Sequence, residues 1–379
     1  MLKTIRALTI FLGLLLLAAC VGPERPSPMN VSPTIAEITP IPLTPTTTAS
    51  PIPPTTTAIP LEPDPTITPG EQFSLSEAEA ATLSSLVQVD DYPLYVMHYH
   101  GDYLEYTWAP QTMAGTAEVA TWGCSLFAAL GDPENRVYGR NFDWQYSPAL
   151  LLFTDPPQGF ASVSMQSVRF MGSFDVDATD LENTTLEERY MLLYTPIRPY
   201  DGMNEAGLAI GMAAVPTDGT SYDPNKPDID SLMLMRQVLD HAANVSEAVE
   251  IVGQYNVIME SGPPVHYLIA DSSGLAVLVE FLEGEMVVIP NENPWHAATN
   301  FFFMRAGDHP ENQCWRYRSI AASLEGASGW CTAAEAMAML EDVFQEITQW
   351  SVVYNLSTRE IDIVMGGEFP AVHTFLLED

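Results

Sequence analysis

Apolar and polar positions change period several times along the chain, and each change marks an element. Ser76 and Glu79 have capping-box spacing, and Ala80, Leu83, Leu86 and Val87 follow at helical intervals, which predicts a helix running to about Val87. Residues 92–98 and 103–108 read as strands around a turn at Gly101. An apolar run starts at Cys124, the turn-forming stretch Gly131-Asp132-Pro133-Glu134-Asn135 stops it, and residues 137–144 read as the returning strand. A polar turn over 201–207 feeds an apolar strand over 208–215, and amphipathic helices are predicted over 231–243 and 246–254. Strands over 265–270, 275–281 and 285–290 follow, then a helix over 332–345 and strands over 350–355 and 361–364. Strand pairs and helices segregated in blocks predict an α+β domain with helices covering sheets. Phe153, Phe160, Met165, Phe170 and Met171 read as core, and the loop after Trp144 offers a place for a hydrophobic acyl chain.

The N-terminal pattern is different. Lys3 and Arg6 precede an apolar run over 7–17, and Leu17-Ala18-Ala19-Cys20 follows, the arrangement at which bacterial lipoproteins are cut and acylated on the cysteine. The apolar stretch is shorter than the ~20 residues a membrane span needs. Residues 21–72 are rich in Pro and Thr with few charges, a composition that forms no core and favours an extended stalk. At ~3.1 Å per residue such a stalk reaches on the order of 150 Å. The expected organisation is a signal over 1–20, a stalk over 21–72, a helix and strand unit over 73–123 and the main domain over 124–379. The expected location is extracytoplasmic, anchored to a bacterial cell envelope by lipid on Cys20.

Charge and cysteines narrow the picture. Fourteen basic against 49 acidic residues give a net charge of -35, with Lys3 and Lys226 the only lysines, which argues against nucleic acid as a partner. Cys314 and Cys331 either close a disulfide, worth about 3 kcal/mol by chain entropy, or stay separate thiols. Cys124 is the odd thiol that asks for a reason. A hairpin centred near Pro133 places it opposite residues around Phe142 and, to within a residue of register, brings Arg140 and Asp143 beside it. That is a nucleophile with a carboxylate to hold its base and a guanidinium to depress its pKa. His98-Tyr99-His100 puts two imidazoles on one strand face without a third ligand at recognisable spacing, so no metal or cofactor is expected. No Gly-x-Ser-x-Gly elbow or phosphate-cradling loop is present.

Gly123-Cys124, Gly139-Arg140-Asn141-Phe142-Asp143, Asp201-Gly202-Met203-Asn204-Glu205-Ala206-Gly207-Leu208, Ala298-Thr299-Asn300 and Trp315-Arg316-Tyr317 occur in the order found in cysteine N-terminal-nucleophile hydrolases. From Cys124 onward the chain resembles the linear amide C–N hydrolase group, which includes choloylglycine hydrolases, penicillin V acylases and acid ceramidases. The resemblance implies a four-layer αββα fold and a precursor that cuts itself between Gly123 and Cys124, with Gly123 permitting a strained backbone. The freed α-amine of Cys124, titrating near ~8, would then serve as general base for the thiol. Asp143 would hold that amine and Arg140 would favour the thiolate. The Asn300 side chain and the Ala214 backbone N–H would be the oxyanion donors, supported by Asn204. Arg316 would close the charge network, although Arg318, two residues on, would share its face if this segment were a strand.

Relatives acting on bile salts carry Asn, and penicillin V acylases Tyr, where this chain has Ala214, so it lacks that side-chain contribution. The folded unit before Cys124 looks more like the ceramidase branch, whose N-terminal piece stays bound after cleavage. The implied activity is hydrolysis of a small-molecule N-acyl amide. An acyltransferase of the same fold and a ligand-binding surface lipoprotein without chemistry are the alternatives.

Overall fold

The computed structural model describes residues 74–103, 123–168, 180–216, 222–259 and 262–378. Cys20, the stalk, the strand expected beyond Tyr103, Phe170 and Met171 lie outside the described residues. Helix α1 (Glu77–Ser84) starts at the capping box read from the sequence, with the Ser76 side chain accepting from Glu79 N at 3.2 Å and the Glu79 carboxylate accepting from Ser76 N at 2.7 Å. It ends earlier than predicted. The Ser85 hydroxyl meets the His98 N–H at 2.9 Å, so the chain leaves the helix and Val87 opens strand β1 (Val87–Asp90), paired antiparallel with β2 (Leu94–Tyr99).

The hairpin of β3 (Gly123–Ala129) and β4 (Val137–Asp143) has the predicted register, with Cys124 opposite Phe142 and Gly123 opposite Asp143. Strands β5 (Ala149–Thr154), β6 (Ser162–Ser167), β7 (Asp201–Asn204) and β8 (Leu208–Ala214) follow. Residues 201–204, expected as part of a turn, are a strand. The turn itself is confined to 205–207, where Gly207 takes φ +79° and a Cβ would strike the Leu356 carbonyl at 2.4 Å.

Next come β9 (Asp228–Asp230), α2 (Ser231–His241), α3 (Val245–Gly253), β10 (Asn256–Ile258), β11 (Val265–Asp271), β12 (Ala276–Leu282), β13 (Glu285–Pro290) and β14 (Trp295–Ala298). The chain continues through α4 (Phe303–Ala306), α5 (Trp315–Gly326), α6 (Ala333–Asp342), β15 (Thr348–Asn355), β16 (Glu360–Met365) and β17 (His373–Leu376).

Two sheets carry the architecture. The large one has the order β1-β2-β5-β6-β7-β8-β11-β12-β13 and the smaller one β14-β3-β4-β15-β16-β17. Helices α2 and α3 lie on the large sheet, α5 and α6 on the smaller, and β3 meets β8 where the sheets face each other. This is the four-layer αββα arrangement. Successive side chains of β3 enter different cores: Leu126 and Ala128 pack between the sheets, Phe127 and Ala129 under α5 and α6. Burial on both faces explains why this strand reads as a continuous apolar run.

The unit before Cys124 is built into the large sheet. All six residues of β2 pair in parallel with β5, from Leu94 opposite Ala149 to Tyr99 opposite Thr154. Leu83, Tyr95 and Met97 share a core with Leu150, Leu152 and Leu193. Of the aromatic and methionine residues read as core, Met165 on β6 is buried and Phe153 on β5 is partly exposed, stacked on His98 at 4.8 Å.

Candidate active site

Strand parity points the Cys124 side chain into the space between the sheets. Arg140, diagonal to it on β4, points the same way and sets Nη2 at 3.7 Å from Sγ. Its Nη1 donates to Asp201 Oδ2 at 2.6 Å and to the Tyr200 carbonyl, and Asp201 also accepts from Tyr354 OH at 2.6 Å and Trp350 Nε1 at 3.2 Å. The Arg140 guanidinium stands 4.9 Å over the Phe142 ring, which stacks on Trp350 at 4.0 Å. Burial works against the Arg140 charge, but Asp201 and the thiol outweigh it and hold the guanidinium above its ordinary pKa.

Arg316 arrives from the other face of the smaller sheet, on α5. Its Nη1 donates to the Cys124 carbonyl at 2.5 Å and Ser125 Oγ at 3.0 Å, and lies 3.4 Å from Asp143 Oδ2. Its Nη2 donates to Asn300 Oδ1 at 2.9 Å. Because the segment is a helix, Arg316 is buried while Arg318 is exposed; the strand-face ambiguity between them does not arise.

Asp143 is seated by three donors: Thr348 Oγ1 at 2.6 Å, the Gln345 side-chain amide and Arg316. A bulge in β15 between Thr348 and Trp350 aims Thr348 at this carboxylate. Burial raises the Asp143 carboxyl, against the pull of Arg316, Thr348 and Gln345. Gly123 lies in β3 outside the left-handed region, so its role is not the strained backbone expected from the sequence. The reason for glycine is space. A Cβ there would lie 2.4 Å from Gln345 Nε2 and 2.9 Å from Asp143 Oδ2.

Asn300 follows β14 and touches the Cys124 backbone directly. Its Oδ1 accepts the Cys124 N–H at 2.7 Å, and its Nδ2 donates to the Ala214 carbonyl at 2.8 Å. One side-chain N–H of the two is thereby engaged. Ala214 pairs with Val265, while the next residue bonds Val215 N to Pro264 O at 2.8 Å. By ladder alternation Ala214 turns its own N–H and carbonyl away from β11, toward the side where Asn300 lies.

Two expectations are corrected. Asn204, expected to support the oxyanion donors, is engaged elsewhere: its Nδ2 donates to the Leu239 and Ala242 carbonyls at 2.9 and 2.8 Å and its Oδ1 accepts Leu208 N at 3.1 Å, which fastens the end of α2 to the β7–β8 turn. The Cys124 thiol is not depressed in this uncut chain, because burial pushes it up further than Arg140 and the Asp143 backbone amide pull it down. Of the two alternatives open for Cys314 and Cys331, the disulfide between them is not formed, and Cys331 is a free buried thiol. Asp201, Gln345 and Thr348 were missed as site residues. Of these only Asp201 has a sequence signal, as the first residue of the Asp201-Gly202-Met203-Asn204 motif.

Both the layering and a cysteine at the start of an inner strand define the fold of an N-terminal-nucleophile hydrolase. The family of linear amide C–N hydrolases, choloylglycine hydrolase family, matches residues 124–301, from the cysteine to one residue past Asn300. A penicillin V acylase from Pectobacterium atrosepticum is 26% identical over 193 residues, 45% of this chain and 47% of that protein, so the chain spans about half the length of that relative. Two crystal structures of conjugated bile acid hydrolase variants from Clostridium perfringens share the fold. One has a TM-score of 0.51 at 16% identity, covering 68% of this chain and 93% of that one; the other has 0.50 at 16% identity, covering 68% and 94%. Residues 124–301 are thus similar to linear amide C–N hydrolases in sequence, and the described residues share the fold of the bile acid hydrolase structures.

Proposed function

We propose that this chain is an amide hydrolase that cuts itself between Gly123 and Cys124 and then uses Cys124 as an N-terminal nucleophile on a small-molecule N-acyl amide. The observation that carries the reading is the convergence on one residue: Arg140 reaches the Cys124 sulfur, Asn300 its amide nitrogen and Arg316 its carbonyl. In self-cleavage Sγ attacks the Gly123 carbonyl, the Cys124 nitrogen takes the proton and leaves, and water hydrolyses the thioester to a Gly123 carboxylate and a free thiol. The new amine starts within hydrogen-bond reach of Asn300 Oδ1, beside the Asp143 carboxylate that Gly123 had covered. There it relays the thiol proton to the leaving amine of a substrate, while the Ala214 N–H and the second Asn300 N–H receive the developing oxyanion.

The parallel β2–β5 ladder and its shared core favour retention of the N-terminal unit after cleavage. Lipid on Cys20 would then tether the active enzyme to the cell envelope through a noncovalent interface. Amine detection over a panel of N-acyl amides, penicillins and acyl amino acids tests the activity. Wild-type protein should release amine from at least one, and Cys124→Ala from none. Equal release by Cys124→Ala would reject the assignment.

A further inference from the structure

Behind the Asn300 loop sits a buried acid that no step above uses. Glu280 on β12 is fully buried and opposes His266 on β11, whose Nδ1 lies 3.2 Å from Glu280 Oε1. The carboxylate reaches out of the large sheet and accepts Phe303 N at 2.6 Å through Oε1 and Met304 N at 3.2 Å through Oε2. Those amides belong to the segment that follows Asn300, on the far side of the inter-sheet space. The end of the loop is therefore fixed by a side chain of the opposite sheet. His266 Nε2 has no hydrogen-bond partner among the described residues, so the imidazole has one polar task here, the contact with Glu280.

A buried carboxylate is costly unless its lone pairs are filled, and a surface turn would hold two backbone amides with water. We infer that Glu280 is a positioning residue: seated on His266, it fixes the Phe303 and Met304 amides and so sets where Asn300 meets the Cys124 nitrogen. This rests on the reading of Cys124 and Asn300 as reacting partners. Asn300 bonds both the large sheet, at Ala214, and Cys124 on the smaller one, so a shift of the loop moves the amide acceptor relative to the thiol. A misplacement of about 1 Å at a reacting group costs on the order of 10²-fold in rate.

The test is Glu280→Gln, which keeps size but turns one acceptor into a donor facing donors. Cleavage before Cys124 should slow by roughly 10- to 100-fold. Amide hydrogen exchange should rise at Phe303 and Met304 and stay unchanged in α2, α3 and α6. In an Asn300→Ala background the same substitution should cost little more, because its effect passes through Asn300. Wild-type cleavage in Glu280→Gln, full additivity with Asn300→Ala, or exchange rising throughout the molecule would each overturn the inference. If wild-type protein shows no cleavage at all, the self-cleavage reading fails alone. Exchange at Phe303 and Met304 then decides the positioning, and unchanged rates in Glu280→Gln would overturn it.

Discussion

Arg140 and Arg316 reach Cys124 from opposite faces of the smaller sheet, and their surroundings differ. Arg140 lies between the sheets with a dedicated carboxylate, Asp201, itself held by Tyr354 and Trp350, and one nitrogen left over for the sulfur. Arg316 lies under the helices, spreads its donors over a carbonyl, a hydroxyl and an amide oxygen, and has Asp143 only at 3.4 Å. Burial lowers the Arg316 pKa, with Asp143 and Cys124 offsetting part of it, whereas Arg140 is held above its ordinary value. One guanidinium is a fixed charge facing the nucleophile. The other is a clamp on the Cys124 carbonyl and the Asn300 amide oxygen.

The contrast breaks first at Asp201. Asp201→Ala leaves Arg140 buried and unpaired, and should cost about 3–5 kcal/mol, measured by urea unfolding in a Cys124→Ala background so that cleavage does not intervene. A loss under about 1 kcal/mol would mean that the pair is not the fixed point described.

Acid titration bears on the comparison next, because His296 and Asp143, two of the buried groups near the site, are shifted in opposite directions. Burial lowers His296 to about 4, and its neutral ring is satisfied on both nitrogens, by the Ile289 carbonyl at 3.1 Å and the Ala297 N–H at 2.9 Å. Its contribution is complete above the unfolded pKa near ~6.5 and is lost as pH falls toward 4, amounting to about 3 kcal/mol at ~1.36 kcal/mol per pH unit. Asp143, raised by burial, behaves in reverse: its contribution is present below the ordinary carboxyl pKa near ~3.9 and is lost as pH rises through the raised value. His296→Asn should therefore flatten the loss between pH 6.5 and 4. An unchanged slope would assign it elsewhere.

The smallest effect on stability belongs to the clamp. Arg316→Lys keeps the charge but loses the planar fork, and should slow cleavage on the order of 10²-fold while shifting unfolding by about 1 kcal/mol or less. A stability loss equal to that of Asp201→Ala would erase the distinction between the two arginines.

Local order carried the parts of this site that the sequence disclosed. The turn at Pro133 and the period-two pattern around it give the β3–β4 register, and with it the approach of Arg140 to Cys124. The capping box at Ser76 and the strands from 265 to 290 are local in the same sense. The contacts that escaped depend on chain segments brought together only by the two-sheet stack. Thr348 and Gln345 reach Asp143 through a bulge and turn some 200 residues away. Helix α5 has a weak amphipathic pattern, so the sequence around Arg316 does not separate helix from strand. Asn204 belongs to a motif without belonging to the site, because its amide serves the carbonyls at the end of α2, a contact that only the packing of α2 on the sheet creates.

N-terminal sequencing together with intact mass of the purified wild-type protein and Cys124→Ala tests the central claim most directly. Wild-type protein should give a fragment that begins at Cys124, copurifying under native conditions with a fragment that ends at Gly123, and Cys124→Ala a single uncut chain. A wild-type chain that stays intact, or cleavage at this bond without the thiol, would contradict it.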